Sequence, residues 1–421
     1  MQLRLDAPAQ SGKAAGLRPE RIAILTDPRL LLLDFTAIPG PAATSTLKAA
    51  YFDDWRDDAL LHIMDLGADH LGLAASPDYA PRAVPRDALP AHKLTEAFRP
   101  QIILYRPVAD SLMFHRYSME AIEAGLAQGA GLALWMMDDW PERLKTSDPA
   151  LHAEMDRDLR ALLAKSAVNF AISEGMARIF GDRYGAPFAV AHNGVDPADW
   201  PAIDRAGKDN VVVRYAGSLA PDTTKDSVAA VAKAVSNLAR RGAPIRLEGR
   251  THKSWMAAYG KPLNALKGVT FARSNFDETA YRRWLSEADI LLIAYNFDEA
   301  TRTYLKYSFA NKVPETMAAG AAILAYGPGD IETLGFLQQS GAALMVTRPD
   351  AAALEDALAS LAADKDKRRA LGAAARDYAF AHFDLKTMKT AFRKMLADAG
   401  SPPGELAGLG ARAAIYETVA R

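Results

Sequence analysis

No cysteine occurs among the 421 residues, which removes disulfide scaffolds, thiolate-bound zinc or iron–sulfur clusters and cysteine nucleophiles together. An excess of charge of either sign is also missing, since 50 Lys and Arg stand against 51 Asp and Glu. That balance argues against affinity gained by neutralising a phosphate backbone, so no nucleic-acid partner is expected. No stretch approaches the roughly 20 apolar residues needed to span a bilayer. The strongest aliphatic runs, Leu30–Leu33 and Ile290–Ile293, soon meet Asp34 and Asn296. Met1–Arg21 is polar and lacks the apolar core of a secretory leader. These absences lead to the expectation of a soluble, cytoplasmic α/β protein.

What is present is an alternation of short apolar runs with longer Ala- and Leu-rich segments of helical period, the βαβ pattern of parallel sheets. The first half has runs at Arg21–Thr26, Ile63–Asp65 with Leu71–Leu73, Gln101–Arg106, Leu132–Met137, Ala167–Ile172 and Phe188–Ala191. The second half restarts at Val211–Ala216 and continues through Ile245–Gly249, Val269–Phe271, Ile290–Ala294, Ala322–Ala325 and Ala343–Val346. Helices are predicted between them, among them Ser118–Gln128, Ala150–Lys165, Ser227–Arg240, Glu278–Glu287 and Ala351–Ala363. Asp196–Asn210 is rich in Pro and Asp and has neither period, which makes it the linker. The expected organisation is therefore an N-terminal extension at 1–20, a first domain at 21–195, the linker at 196–210, a second domain at 211–396 and a tail at 397–421 in which Leu406–Val419 suits a docking helix. Tandem open sheets hold ligands beyond the carboxyl ends of their strands, so a common cleft between the domains is the place to search.

Several familiar motifs fail there. Gly129-Ala-Gly131 lacks a third glycine and precedes a strand, Gly408-Leu-Gly410 lies in the tail, and Ser11-Gly12-Lys13 lacks the remainder of a P-loop. No His-Glu-x-x-His or Gly-x-Ser-x-Gly occurs. The informative segment is Tyr304–Gly320 followed by Ala321–Pro328: a loop, a helix with Pro314 near its start, a glycine exit and a strand. Glu315 in the first turn either compensates the helix dipole or accepts the hydroxyls of a ribose, as acidic residues do in dinucleotide folds. Lys312 and the loop amides would then face a diphosphate.

With these residues the chain resembles glycosyltransferases of the GT-B fold, especially the family 4 and glycogen-synthase-like group, over roughly Arg21–Leu396. Ile172–Met176, Arg183–Pro187 and His192-Asn-Gly-Val-Asp196 resemble the end of the family's first domain; Val213–Ser218 resembles the first strand and loop of its donor domain; Lys312-x-x-Glu315 with Met317-Ala-Ala-Gly320 resembles its donor motif. The resemblance implies two Rossmann-like parallel-sheet domains facing a cleft, a nucleotide-sugar donor held by Glu315, Lys312, Asn311, Ser308, Gly217, Ser218, Lys225 and Arg250, and retention at the transferred sugar. Many members carry two glutamates with seven residues between them, the first contacting the sugar; Tyr307 holds that place here. Many also carry Arg after the donor-domain glycine, where this chain has Ser218.

In the first half, the small residues and hydroxyls of Pro39–Thr46, with Gly40 and Thr44, either border the acceptor or diphosphate or cap a helix. Trp135-Met-Met-Asp-Asp-Trp140 places two carboxylates between indoles at the end of a strand. Carboxylates accept sugar hydroxyls and indoles stack on apolar sugar faces, so Asp138, Asp139 and Trp140 are candidates for acceptor or catalytic roles; the other reading makes Asp139 a cap and the tryptophans core. His115, after the strand ending at Arg106, is a further catalytic candidate or an ordinary buried histidine. No metal or other cofactor is expected. The expected activity is hexosyl transfer from a nucleotide-sugar to a glycan or lipid-linked acceptor in polysaccharide or glycoconjugate biosynthesis. A nucleotide-sugar epimerase and a non-catalytic binding protein remain alternatives. Peripheral membrane association and oligomeric state stay open, since no convincing basic amphipathic face is seen.

Overall fold

The computed structural model describes residues 27–34, 36, 38, 43–64, 83–85, 90–109, 111–203, 210–274 and 277–400. The described strands form two all-parallel sheets. The first runs in the order β3 (Ala83–Pro85), β2 (Leu60–Met64), β1 (Leu30–Leu33), β4 (Ile102–Tyr105), β5 (Gly131–Met136), β6 (Val168–Ala171), β7 (Ala189–Val190). The second runs β10 (Val269–Arg273), β9 (Ile245–Thr251), β8 (Val211–Ala216), β11 (Ile290–Ala294), β12 (Ala322–Tyr326), β13 (Ala343–Val346). Both orders reverse at their first strand, which leaves a crevice at the carboxyl edge beside β1 and beside β8.

Helices α1 (Ala43–Phe52), α2 (Ala91–Phe98), α3 (Leu112–Ala127), α4 (Trp140–Ser147), α5 (Pro149–Leu163) and α6 (Glu174–Tyr184) accompany the first sheet. The second half contributes α7 (Lys225–Arg240), α8 (Lys253–Asn264), α9 (Glu278–Ser286), α10 (Glu299–Leu305), α11 (Val313–Ala318), α12 (Glu332–Ser340), α13 (Ala351–Ala363), α14 (Lys365–His382) and α15 (Leu385–Ala399). Among the described residues, no helix is long and apolar enough to cross a membrane.

Three elements differ from the sequence expectation. The run Leu30–Leu33, passed over as a strand, is β1 itself, paired with both β2 and β4 and exposed by no more than 1%. A central parallel strand is covered on both faces and reads as an unbroken apolar run, without the alternation that marks half-exposed strands. The strand expected at Arg21–Thr26 lies outside the described residues, as do Leu71–Leu73 and the tail helix at Leu406–Val419. α3 starts at Leu112, earlier than predicted, because the Ser111 hydroxyl accepts from the Phe114 amide and caps it.

The third difference concerns where the second domain ends. The chain was expected to stay in it to Leu396, but α15 returns to the first sheet. Phe392 is 1% exposed, with its ring centroid 4.5 Å from Phe170, 4.8 Å from Tyr51 and 5.0 Å from Trp135. The two passages between the domains are bonded to each other: the Val195 amide donates to Phe383 O at 2.7 Å, and the Leu385 amide donates to Val195 O at 3.1 Å. In the expected linker, Trp200 is buried and its carbonyl accepts from Arg376 at 2.8 Å. Replacing Phe392 by Ala empties the centre of this aromatic cluster, and a loss of about 3–5 kcal/mol of stability is expected; an unchanged urea midpoint would show that α15 does not hold the first domain together.

Candidate functional site

The carboxyl edges of the two sheets face each other. On the second sheet, Gly217 follows β8 and its amide donates to Arg250 O at 3.1 Å on β9. A Cβ at Gly217 would lie 2.8 Å from Tyr215 Oη and 3.1 Å from Lys312 Nζ, so a larger residue there would displace the phenol and crowd the lysine. Lys312 sits at the start of α11 with its ammonium 4.9 Å from the Tyr215 ring centre and 5.9 Å from that of Tyr295. It has no carboxylate partner among the described residues, and loss of hydration lowers its pKa to about 8. One turn further, the Glu315 carboxyl is pushed up to about 7 by loss of hydration, against a hydrogen bond from Asn193 Nδ2 at 3.3 Å that lowers it. The same Asn193 amide donates to Asn311 O at 2.8 Å. Arg250 stacks on Trp284 at 4.6 Å, and the partly buried Tyr281 phenol, raised by loss of hydration and then by the Glu315 charge, lies close by.

Of the expected donor residues, the fold brings Gly217, Arg250, Lys312, Asn311 and Glu315 together. Ser218 follows Gly217, and its carbonyl accepts from the Tyr215 phenol and from Thr224 Oγ1. Ser308 is buried in the loop before α11, where its carbonyl accepts from Thr333 Oγ1. Lys225 is not part of the group. It pairs with Asp226 at 3.0 Å and lies 5.7 Å from the Tyr259 ring, turned into a groove between α7 and α8.

Tyr307 stands apart from Lys312, in a polar pocket of about 560 Å³ between the domains. Its walls include Asp139, Glu142 and Arg183 from the first domain and Arg302, Lys306 and Asp330 from the second. Asp139 is fully buried; its carboxylate accepts the Glu142 amide as the cap of α4 and binds Arg183 bidentately at 2.7 and 2.9 Å. It is a structural anchor, so the catalytic role considered for it does not fit: every strong contact of the carboxylate is already made by its own domain. Trp140 is 3% exposed within the core, which removes it as a stacking platform for an acceptor. His115 is 1% exposed, with Nδ1 2.8 Å from Tyr105 Oη and Nε2 3.2 Å from Asp158, and burial lowers its pKa. With both nitrogens committed inside the first domain, it does not fit a catalytic role either.

Asp138 is the member of the acidic pair that remains partly exposed; its carboxylate lies 3.6 Å from Arg106. Behind it is a group that the sequence reading missed. Asp34, just past β1, is 1% exposed and pairs with the fully buried Lys48 of α1 at 2.7 Å and with Arg106 at 3.6 Å. Burial alone would raise the Asp34 carboxyl, but the charges of Lys48 and Arg106 hold it well below the usual range. Lys48 is lowered to about 8 by burial, and the buried His62, whose Nε2 contacts Asp34 O at 2.8 Å, is lowered to about 4. A lysine within the apolar Leu47–Ala50 stretch was the available signal. Thr44 is a half-buried residue in the first turn of α1, and Gly40 lies outside the described residues. Among the described residues, no group of three or more His, Asp or Glu is placed to hold a metal ion.

Residues 230–392 match the family model described as Glycosyl transferase-like. No curated protein is significantly similar to the chain in sequence. The chain is similar in structure to Anabaena HepE in complex with UDP and glucose, with a TM-score of 0.64 at 14% identity over 88% of this chain and 99% of that one. It is also similar to sucrose-phosphate synthase from Thermosynechococcus elongatus (TM-score 0.59, 13% identity, 87% and 97% covered). A third likeness is to an alpha,alpha-trehalose-phosphate synthase (UDP-forming) from Burkholderia vietnamiensis (TM-score 0.61, 12% identity, 90% and 99% covered). The fold is therefore GT-B, as the sequence motifs implied.

Because Asp139 is buried, removing its partner strands a charge. Arg183→Met is expected to lower stability by about 3 kcal/mol, and adding Asp139→Leu to recover part of that loss. Urea unfolding of the single and double variants checks this, and a double variant less stable than Arg183→Met would refute the anchor role.

Proposed function

We propose that this GT-B chain is a glycosyltransferase that moves a hexosyl group from a nucleotide-sugar, of the UDP class, to a hydroxyl of a glycan or lipid-linked acceptor. The observation that carries the reading is the pairing, at the carboxyl edge of the second sheet, of an ammonium without a carboxylate partner among the described residues (Lys312, held against Gly217) with a dehydrated carboxylate (Glu315) one helical turn away. A nucleoside diphosphate has the complementary chemistry: anionic oxygens for Lys312, Arg250 and the Ser218 amide, and vicinal ribose hydroxyls for Glu315. The UDP preference follows the structural neighbours solved with UDP and with UDP-glucose.

In this reading, the bond between the anomeric carbon and the diphosphate oxygen breaks while the acceptor oxygen bonds to that carbon and passes its proton to the departing diphosphate. The main task of the protein is to stabilise the departing diphosphate and to orient both substrates in a cleft from which water is excluded. Asp138, backed by Arg106, accepts hydrogen bonds from acceptor hydroxyls. Retention is the outcome usual for the resembled family, and polysaccharide or glycoconjugate biosynthesis is the corresponding pathway class. Tyr307, where that family places its sugar-contacting glutamate, favours a second reading: a chain that binds donor without transferring it. Donor binding with no nucleotide release in the presence of any acceptor would select that reading.

Calorimetry against UDP-, GDP-, dTDP- and ADP-sugars tests the proposal directly, and no binding to any of them would overturn it. Lys312→Ala is expected to weaken donor binding by at least tenfold, about 1.4 kcal/mol. Affinity for UDP-glucose should also have two pH limbs. It rises as Glu315 ionises through about pH 7 and falls as Lys312 loses its proton through about pH 8. A profile flat from pH 6 to 9 would remove both residues from the site.

A further inference from the structure

Asn193 occupies an unusual position between the hinge and the site. It belongs to the turn that follows β7, in the first of the two chain passages between domains. The next residues fix that turn against the second passage: Val195 exchanges backbone hydrogen bonds with Phe383 and Leu385, and a Cβ on Gly194 would lie 2.8 Å from Leu385 Cα. The turn therefore has little freedom to move independently of the start of α15. On the other side, His192 packs its ring against Phe309 (5.6 Å) and Phe383 (5.0 Å), and its carbonyl accepts the Tyr51 phenol at 2.9 Å. From this fixed backbone the 3%-exposed Asn193 side chain reaches into the second domain. Its Nδ2 donates to Asn311 O at 2.8 Å and to Glu315 Oε1 at 3.3 Å. Both partners are acceptors, so the amide must present its NH2 to them.

We infer that Asn193 is a positioning residue through which the hinge holds the donor site: its amide aims the Glu315 carboxylate at the donor and fixes the loop before α11. The inference rests on the donor role proposed for Glu315. Its physical basis is that a hydrogen bond to an ionised carboxylate favours the charged form, which dehydration otherwise disfavours. Of the groups that favour ionised Glu315, the Asn193 amide contributes most, ahead of Arg282. On α9, Glu278 opposes ionisation and Tyr281 is partly buried; Arg282 favours ionisation, but its guanidinium is already bound to Asp199 at 3.2 Å and Glu278 at 3.0 Å. On its own helix, Lys312 turns toward Tyr215 and Tyr295. Asn193 is thus the neutral donor that reaches Glu315 from the first domain, and any opening of the hinge that withdraws it weakens the donor site.

The test uses the full chain carrying carboxyl-13C glutamate, with the Glu315 signal assigned by E315Q, and follows its titration without ligand in the wild type, N193A and the isosteric N193D. In parallel, UDP-glucose affinity is measured from pH 6 to 9. Loss of the amide should move the Glu315 midpoint upward by about half a pH unit or more, and N193D, which sets a second carboxylate beside it, should move it further. The acid limb of UDP-glucose binding should move by the same amount while the alkaline limb stays in place. An unchanged Glu315 midpoint in both folded variants would overturn the positioning role. If the midpoint moves but the wild type binds no UDP-glucose at any pH, the hold on Glu315 stands and the donor reading falls.

Discussion

The hydrogen bonds between the two interdomain passages are the constraint on which the cleft depends. Val195 sits between Phe383 and Leu385, so the chain leaving the first domain and the chain returning to it form one short parallel ladder. Because the passages are tied, α15 can bury Phe392 among Tyr51, Trp135 and Phe170 while α14 stays on the second sheet. One side of the second sheet thereby joins the core of the first domain, and loops at the two carboxyl edges meet. A hinge of this kind allows relative rotation but little sliding, which suits a site whose two halves must meet in register.

Among the described residues, polar contacts also cross between the carboxyl edges. Ser173 Oγ donates to Tyr307 O at 2.8 Å, and Glu332 accepts the Gly175 amide at 3.1 Å at the amino end of α6. A Cβ on Gly175 would collide with the Glu332 carboxylate, so the glycine permits the approach. Burial raises the Glu332 carboxyl, opposed by that amide hydrogen bond. Such contacts can break and re-form with less change in free energy than buried apolar surface, which permits opening and closing. The more hydrophobic hinge and the more polar mouth divide the tasks of joining the domains and admitting substrates.

Much of this was legible in the sequence. The second sheet could be read strand by strand because each run was short, apolar and separated by an amphipathic helix, and the Lys312–Glu315 helix announced itself through Pro314 and Gly320. The first domain was harder to read for physical reasons. β1 is so completely covered that its four leucines carry no period, and Asp34 looked like the end of an apolar run when it is the anchor of a buried charge group. Asp138 and Asp139 are adjacent and chemically identical, yet one is a fully buried cap and the other is partly exposed beside Arg106; the Arg183 fork, 44 residues away, separates them. Asn193 stood inside a recognised turn, but its reach across the interface depends on the α15 return, which no local pattern encodes.

The central claim is that a nucleotide-sugar is held at the carboxyl edge of the second sheet by the β8 glycine loop and the start of α11. Amide hydrogen exchange of the full chain with and without UDP-glucose tests this most directly. The account predicts slowed exchange at Gly217–Ser218 and across Ser308–Glu315, with the groove between α7 and α8 unchanged. Protection confined to that groove, or to the outer helices of the first domain, would contradict it.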